Sequence, residues 1–465
     1  MTDVVCYFQA HQPFRLRPGR HERGEPQQRW FDDELNRLVV ERVAERCYRP
    51  MNALLLELGR RHEGRFRVGL SVTGTLLDQL RRWSPATLDS FVALAESGCV
   101  EFLGETSHHS VSALACEAEF RDQVETHART IEELFGRRPT TFRNTELIIR
   151  EDIARIVEEL GFEVLLGEGA DRLLGWRLPF WPYRPKGCTS LKLLLRCYSL
   201  SDDIGFRFSN RQWPEYPLFA DKFARWMHGV ASDAAFVGLF MDYETFGEHQ
   251  WADTGILEFM KQMPGEVLKD ERFTFRSPGE SAARHAVVGE LAIPDAVSWA
   301  DAERDVSAWL GNPMQRHAHA ELYALRDEVL RAATLGRGDL LDAWRRMTTS
   351  DHVYYMATKS ASDNDVHEYF SPYGRPHDAF MTFSNVLDDL RSRVRAALAS
   401  PADAARPVAA LTGDTRSANV AVPPSPSTPD RGRTSTAPPQ APVTRHPEPP
   451  SKPDRDTDRK RRRPS

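Results

Sequence analysis

The chain has 465 residues, 41% of them hydrophobic and 28% charged, with a formal net charge of −6 and a mean hydropathy of −0.50. That composition excludes collagen-like and wholly disordered chains, and the lack of an uncharged apolar run near ~18 residues excludes a membrane-spanning one. The charge is uneven: the first 400 residues hold 49 basic and 60 acidic side chains, an acidic body that argues against gripping a nucleic-acid backbone.

The chain opens on Met1-Thr2-Asp3-Val4-Val5, with no basic leader, apolar h-region or small-residue cleavage site, which reads as a cytoplasmic protein. Seven short runs rich in β-branched and aromatic residues follow, at 4–10, 66–72, 99–104, 140–145, 162–166, 191–199 and 235–241. Most are continuously apolar rather than alternating, the pattern of buried parallel strands. Between them, amphipathic stretches at 35–61, 86–96, 117–135 and 150–160 are long enough for crossover helices. This βα alternation predicts a parallel sheet covered by helices. With no Gly-rich dinucleotide turn (Gly167-Glu168-Gly169 lacks the third glycine), it favours a barrel over a Rossmann sheet.

After about residue 259 the pattern turns helical, with helices predicted over 301–310, 314–333 and 339–347 and a short strand near 286–292. The expected division is a barrel over residues 1–265, a helical domain over 266–400 and a tail over 401–465. That tail holds 14 of the 31 prolines, 12 basic and 7 acidic side chains, and no Phe, Trp, Tyr or Cys. It lacks the apolar surface to offset ordering entropy and is expected to be disordered. The six cysteines (Cys6, Cys47, Cys99, Cys116, Cys188 and Cys197) form no C-x-x-C pair and read as reduced, mostly buried thiols.

In parallel α/β folds the working residues gather past the carboxyl ends of the strands. Four of the seven predicted strand ends carry polar, ionisable clusters: His11-Gln12-Pro13, Glu105 to His109, Asn144-Thr145-Glu146, and Asp242 to Trp251. Carboxylates ending different strands of one barrel are the parts that glycosidic bond cleavage needs, one to attack the anomeric carbon and one to protonate the leaving oxygen. Tyr243, Phe246 and Trp251 could stack on sugar faces. Any one acidic residue at a strand end is more often a salt-bridge partner or helix cap; the recurrence at four ends favours a site.

Tyr7-Phe8-Gln9-Ala10-His11-Gln12-Pro13 resembles the opening motif of glycoside hydrolase family 57, the α-amylase and 4-α-glucanotransferase family. Four further stretches match its motif order: Glu101 to His109, Phe142-Arg143-Asn144-Thr145-Glu146, Phe240 to His249, and Ser350-Asp351-His352-Val353-Tyr354-Tyr355-Met356. The resemblance spans about residues 1–385. It implies an incomplete (β/α)7 barrel whose cleft is completed by the helical domain, and a cofactor-free retaining enzyme acting on α-1,4-glucan by double displacement. It further implies that Glu146 is the nucleophile and Asp242 the general acid/base. His11, Glu105, His109, Asp351 and His352 would line the donor-sugar subsite, and Trp251 would be a stacking platform.

The residues leave some choices open. Glu244 lies two positions from Asp242 and would share its face on a strand, which makes it a sugar-binding or supporting acid. Of His108 and His109 only one can face a site, so no metal is expected. Trp30, Trp181, Trp213, Trp226, Trp299 and Trp309 read as core or cleft-rim residues. The local wording favours an α-amylase; a 4-α-glucanotransferase or branching enzyme would use the same acids. A metal-dependent polysaccharide deacetylase or α-mannosidase, or a non-catalytic glucan-binding protein, stands as an alternative from another class.

Overall fold

The computed structural model describes residues 1–18, 30–359 and 371–399. β1 (Thr2–Ala10) is buried along all nine residues because each face serves a different core. Val5 and Tyr7 point inward to meet Leu166, Leu194, Phe236 and Phe240, while Val4, Cys6, Phe8 and Ala10 face the surrounding helices. The remaining strands of the path are β2 (Val68–Val72), β3 (Val100–Phe102), β4 (Thr141–Arg143), β5 (Val164–Glu168), β6 (Lys192–Arg196) and β7 (Phe236–Asp242). Their order is β3-β2-β1-β7-β6-β5-β4, and every pairing is parallel.

The two end strands meet at one bridge between Gly104 and Phe142, with Gly104 N–H on the Thr141 carbonyl at 2.9 Å and Arg143 N–H on the Gly104 carbonyl at 2.9 Å. Gly104 suits that seam, since a Cβ there would lie 2.7 Å from the Phe162 ring. The result is the incomplete seven-stranded parallel barrel expected from the sequence. An eighth strand, β8 (Phe273–Phe275), adds to the start of β1 in parallel and was not foreseen.

Crossover helices start and stop where the sequence punctuates them. Thr73 caps the helix Gly74–Trp83 by accepting from Leu76 N–H, and Gly98 and Gly136 end the helices Pro85–Ser97 and Glu117–Phe135 in left-handed geometry. The long segment predicted over 35–61 is one run of helix, Asp33–Val43 and Arg49–Arg61, joined by a widened π turn at Ala44–Tyr48. There Arg49 N–H reaches back five residues to the Ala44 carbonyl.

In the C-terminal part, the helix predicted over 314–333 divides at Leu325 into Pro313–Ala324 and Arg326–Thr334. Of 301–310 only Ser307–Leu310 is helical, because Asp301 and Arg304 take left-handed backbone conformations in the loop before it. The run near 286–292 shrinks to Glu290–Leu291, paired with Arg184–Pro185. Gly338–Met347, the short helix Ser350–Tyr354 and the unforeseen helix Pro376–Ala399 follow. Trp309, Leu322, Trp344, Phe383 and Leu390 of these helices share one apolar cluster with Phe120, Phe142, Ile153 and Leu165 of the barrel flank.

All six cysteines are free, and only Cys116 is partly exposed. Among the described residues no helix is long and apolar enough to cross a membrane. The predicted tail lies outside the described residues.

Candidate active site

Glu146 leaves the end of β4 in the short turn Thr145–Leu147, where both Glu146 (φ 58) and Leu147 (φ 51) are left-handed. For non-glycine residues that conformation costs roughly 1–2 kcal/mol each, and it persists because neighbours fix the turn from two sides. From within, Leu147 N–H bonds the Asn144 carbonyl at 2.9 Å and Asn144 Nδ2 the Ile148 carbonyl at 2.9 Å. From outside, Ile149 and Val297 exchange backbone hydrogen bonds of 2.9 and 3.0 Å, and Trp299 N–H donates to the Glu146 carbonyl at 3.3 Å.

The Glu146 carboxylate is held at both oxygens. Oε1 accepts from His109 Nε2 at 3.2 Å and Ser350 Oγ at 3.4 Å, and Oε2 accepts from the Trp299 indole N–H at 2.7 Å. Burial alone would raise this carboxyl. The hydrogen bond and charge of His109, the Arg143 guanidinium and the Trp299 bond outweigh it and hold Glu146 below the usual carboxylate range.

Behind Glu146 a chain of buried polar groups runs back into the barrel. His109 Nδ1 meets Glu105 Oε2 at 3.3 Å, Gln9 Nε2 donates to Glu105 Oε1 at 3.1 Å, and Gln9 Oε1 accepts from the Tyr7 and Ser71 hydroxyls at 2.7 Å each. Burial opposes charge on His109, but its bonds to two carboxylates prevail and push it up to about 9. It is therefore an imidazolium at neutral pH, donating from both nitrogens.

His11 stacks on it, with ring centroids 4.0 Å apart, and stays neutral: burial and the His109 charge depress it more than Asp351 raises it. Its Nε2 lies 2.9 Å from Asp351 Oδ2 and its Nδ1 3.0 Å from Thr73 Oγ1. Because a carboxylate only accepts, Nε2 carries the hydrogen. Asp351 is held well below its usual value: His11, whose Nε2–H donates to it, and the nearby His109 imidazolium outweigh the cost of its burial.

Asp242 closes β7, in register with Gln9 of β1. Burial and the negative charge of Glu146 raise it to about 6, against the lowering influence of Arg143, His109 and Arg196. Two carboxyls ending different strands are thus driven in opposite directions, which separates a carboxylate from an acid that keeps its proton to near neutrality.

The remaining sequence-predicted residues fall into two groups. Glu105, His109, Glu244 and His352 are buried and act on their neighbours. The strand stops at Asp242 and a tight turn follows, so Glu244 goes to a different place from Asp242: its Oε1 accepts from Tyr48 Oη at 2.5 Å and from His11 N–H at 3.0 Å. Burial and the Asp242 charge push it up to about 8. His352 turns inward, its Nε2 3.2 Å from the Arg346 carbonyl and its ring against Phe383. Glu146, Asp242, His11 and Asp351 keep part of their surface open, and Trp251 is 53% exposed, beneath the Arg46 guanidinium.

His108 and His109 lie beyond the end of β3, and the left-handed backbone of His109 (φ 50) separates their directions. His108 packs away, Nδ1 on Ser107 Oγ, and burial depresses it to about 3. No group of three or more His, Cys, Asp or Glu side chains among the described residues is placed to hold a metal ion.

Sequence reasoning missed Tyr48 and Trp299 as partners and read Arg143 only as a possible ion-pair partner of Glu146. Tyr48 sits in the π turn. Arg143 is fully buried, and among the described residues no acceptor bonds its guanidinium; its charge acts on the nearby Glu146 and Asp242 carboxyls, and its Cζ lies 4.9 Å from the centroid of the Trp299 ring. Trp299 carries no local signal that separates it from the five other tryptophans read as core or cleft rim.

The sequence profile described as glycosyl hydrolase family 57 matches residues 5–294. The chain belongs to that family. It is 40% identical over 406 residues, 85% of each chain, to a protein of Methanocaldococcus jannaschii named "Putative alpha-amylase". Its fold is similar to the family 57 branching enzyme of Pyrococcus horikoshii (TM-score 0.58, 14% identity, 85% of this chain and 94% of that one). It is also similar to the α-amylase AmyC of Thermotoga maritima (TM-score 0.54, 13% identity, 85% and 96%). Membership makes the protein a glycoside hydrolase, and the profile stops before Ser350 and Asp351, which reach Glu146 and His11 from the single helix Ser350–Tyr354 beyond it.

Proposed function

We propose that this family 57 member is a retaining enzyme of the α-amylase type that cleaves α-1,4-glucan by double displacement. The observation that carries the reading is the split pair: Glu146, bonded at both oxygens and held ionised, opposite Asp242, which is raised to about 6 by burial and by Glu146 itself.

In the first step Asp242 gives its proton to the glycosidic oxygen while Glu146 attacks the anomeric carbon and forms a glycosyl ester. In the second, Asp242, now a carboxylate, takes a proton from water, whose oxygen displaces Glu146. This route calls for carboxyls roughly 5–5.5 Å apart. His11 and Asp351, joined at 2.9 Å and partly open, are suited to hydrogen-bond the hydroxyls of the donor sugar, and Trp251 to stack on a sugar face at the rim. Glu105, His109 and Glu244 act from behind, fixing Glu146 and His11.

Incubation with maltoheptaose, followed by chromatography, tests the reading. Shorter oligosaccharides alone are the expected product; chains longer than seven units would move the assignment to a transferase, and no product at all would sink it. Glu146→Gln is expected to lower turnover on the order of 10⁴-fold or more.

The pH profile follows from the two carboxyls. Asp242 must be protonated, so kcat/KM falls as pH rises through about 6. Glu146 must be ionised, so activity is lost again only at pH below the ordinary carboxylate range. An alkaline limb that stays flat past pH 8 would remove Asp242 from the role of acid.

A further inference from the structure

The helices Tyr198–Gly205 and Ala220–His228 are joined by a loop rich in exposed aromatic rings. Phe206 is 61%, Tyr216 39% and Phe219 62% exposed. Trp213 of the same loop and Trp226 of the second helix meet edge to face, with ring centroids 6.0 Å apart. The two tryptophans, with Leu200, Asp203, Arg207 and Glu215, line an open surface depression of about 500 Å³. Soluble proteins rarely leave such a cluster of rings uncovered unless it meets a ligand or partner.

The polar groups in this depression define the ligand. Asp203 is paired with Arg207 at 2.6 Å and Glu215 with Lys222 at 2.8 Å, and the two cations also brace the rings, Arg207 over Trp213 and Lys222 over Trp226. The charges cancel locally, so the site has no field to attract an ion. It offers aromatic faces beside carboxylate and guanidinium groups that can accept from or donate to neighbouring hydroxyls. A neutral molecule with apolar C–H faces and a rim of hydroxyls fits that combination.

The position fits as well. Gln250 Nε2 donates to the Gly205 carbonyl at 3.0 Å, so Trp251, next to Gln250, and Phe206, next to Gly205, flank one hydrogen bond that ties this loop to the rim of the catalytic cleft.

We propose that this flank is a second binding platform for α-glucan, holding a stretch of polymer outside the cleft. The platform rests on the glucan reading above and adds a site to it.

Native-gel retardation by glycogen tests it, comparing the full-length protein with Trp213→Ala, Phe206→Ser and, as a control elsewhere on the surface, Leu335→Ser. Loss of one stacking ring is expected to weaken glycogen binding about tenfold in the first two, to raise the KM for long amylose relative to that for maltotetraose, and to leave the control unchanged. Thermal melting reports folding, and the exposed Phe206 position keeps the test valid if Trp213→Ala unfolds. Wild-type retardation in both flank variants would overturn the platform, as would a change in oligomeric state by light scattering without a change in retardation, which would mark a protein interface. If the wild type is retarded but cleaves no maltoheptaose, the catalytic reading fails and the platform stands. If it cleaves maltoheptaose while the flank variants bind like the wild type, the platform alone falls.

Discussion

At the scale of single residues, Glu146 depends on a side chain 153 positions away, the Trp299 indole that donates to its Oε2 at 2.7 Å. A hydrogen bond to a charged group contributes about 1.5–3 kcal/mol. Trp299→Phe, which keeps the ring and removes the donor, should therefore lower kcat by about 10- to 100-fold. Because that bond helps hold the carboxyl down, its loss should also move the acid limb of the pH profile to higher pH; a wild-type acid limb would count against the bond. Arg143 lowers both Glu146 and Asp242, so Arg143→Gln should shift both limbs upward and Arg143→Lys should restore them. Glu146 and Asp242 could be picked out in the sequence as carboxyls at readable strand ends, but so could Glu105 and Glu244, and the resemblance of the motifs selected the pair. Trp299, Tyr48 and the pairing of His11 with Asp351 arise from contacts between distant segments, and no local periodicity encodes them.

At the scale of elements, the strands were readable and the loops were not. Most of the barrel strands are buried on both faces, so their apolar runs stand out; β8 was not picked out, although at three residues it is no shorter than β3 and β4. Loops failed where the backbone turns left-handed without glycine, as at Asp301 and Arg304, which broke the helix expected over 301–310. The turn after β7 shows how tightly such loops are built. Gly247 has φ 121, and a Cβ there would lie 2.1 Å from the Arg46 carbonyl oxygen, between the π turn and the residues following Glu244. Gly247→Ala should cost roughly 2–3 kcal/mol in stability, measurable by denaturant unfolding. By displacing Glu244 from Tyr48 it should depress turnover in the fraction that remains folded.

At the scale of the whole molecule, both carboxyls of the split pair lie within the matched family span, and part of their setting does not. Trp299, Ser350 and Asp351 come from beyond residue 294, and the one short helix that carries the last two, Ser350–Tyr354, adds Val353 to the apolar cluster shared with the barrel flank. A chain ending at residue 294 should retain Glu146 and Asp242, lose activity and expose apolar surface that dye binding would detect. A chain ending at residue 399 should keep both its melting temperature and its turnover of maltoheptaose; loss of either would assign a role to the Pro-rich segment. The division of charge, an acidic body with a basic tail, suits a neutral polymer substrate for which long-range steering has nothing to pull on.

The π turn at Ala44–Tyr48 makes chain length itself a determinant of the site. Deleting one residue there would relax the turn to an ordinary α-helix and rotate the flanking segments by about 100° relative to each other. Tyr48 would swing away from Glu244, and with it would go the anchor of the His11 backbone. Every recognisable motif would survive such a deletion unaltered. Among relatives of this chain, the length of this one helix would therefore separate working sites from degenerate ones where the motifs do not.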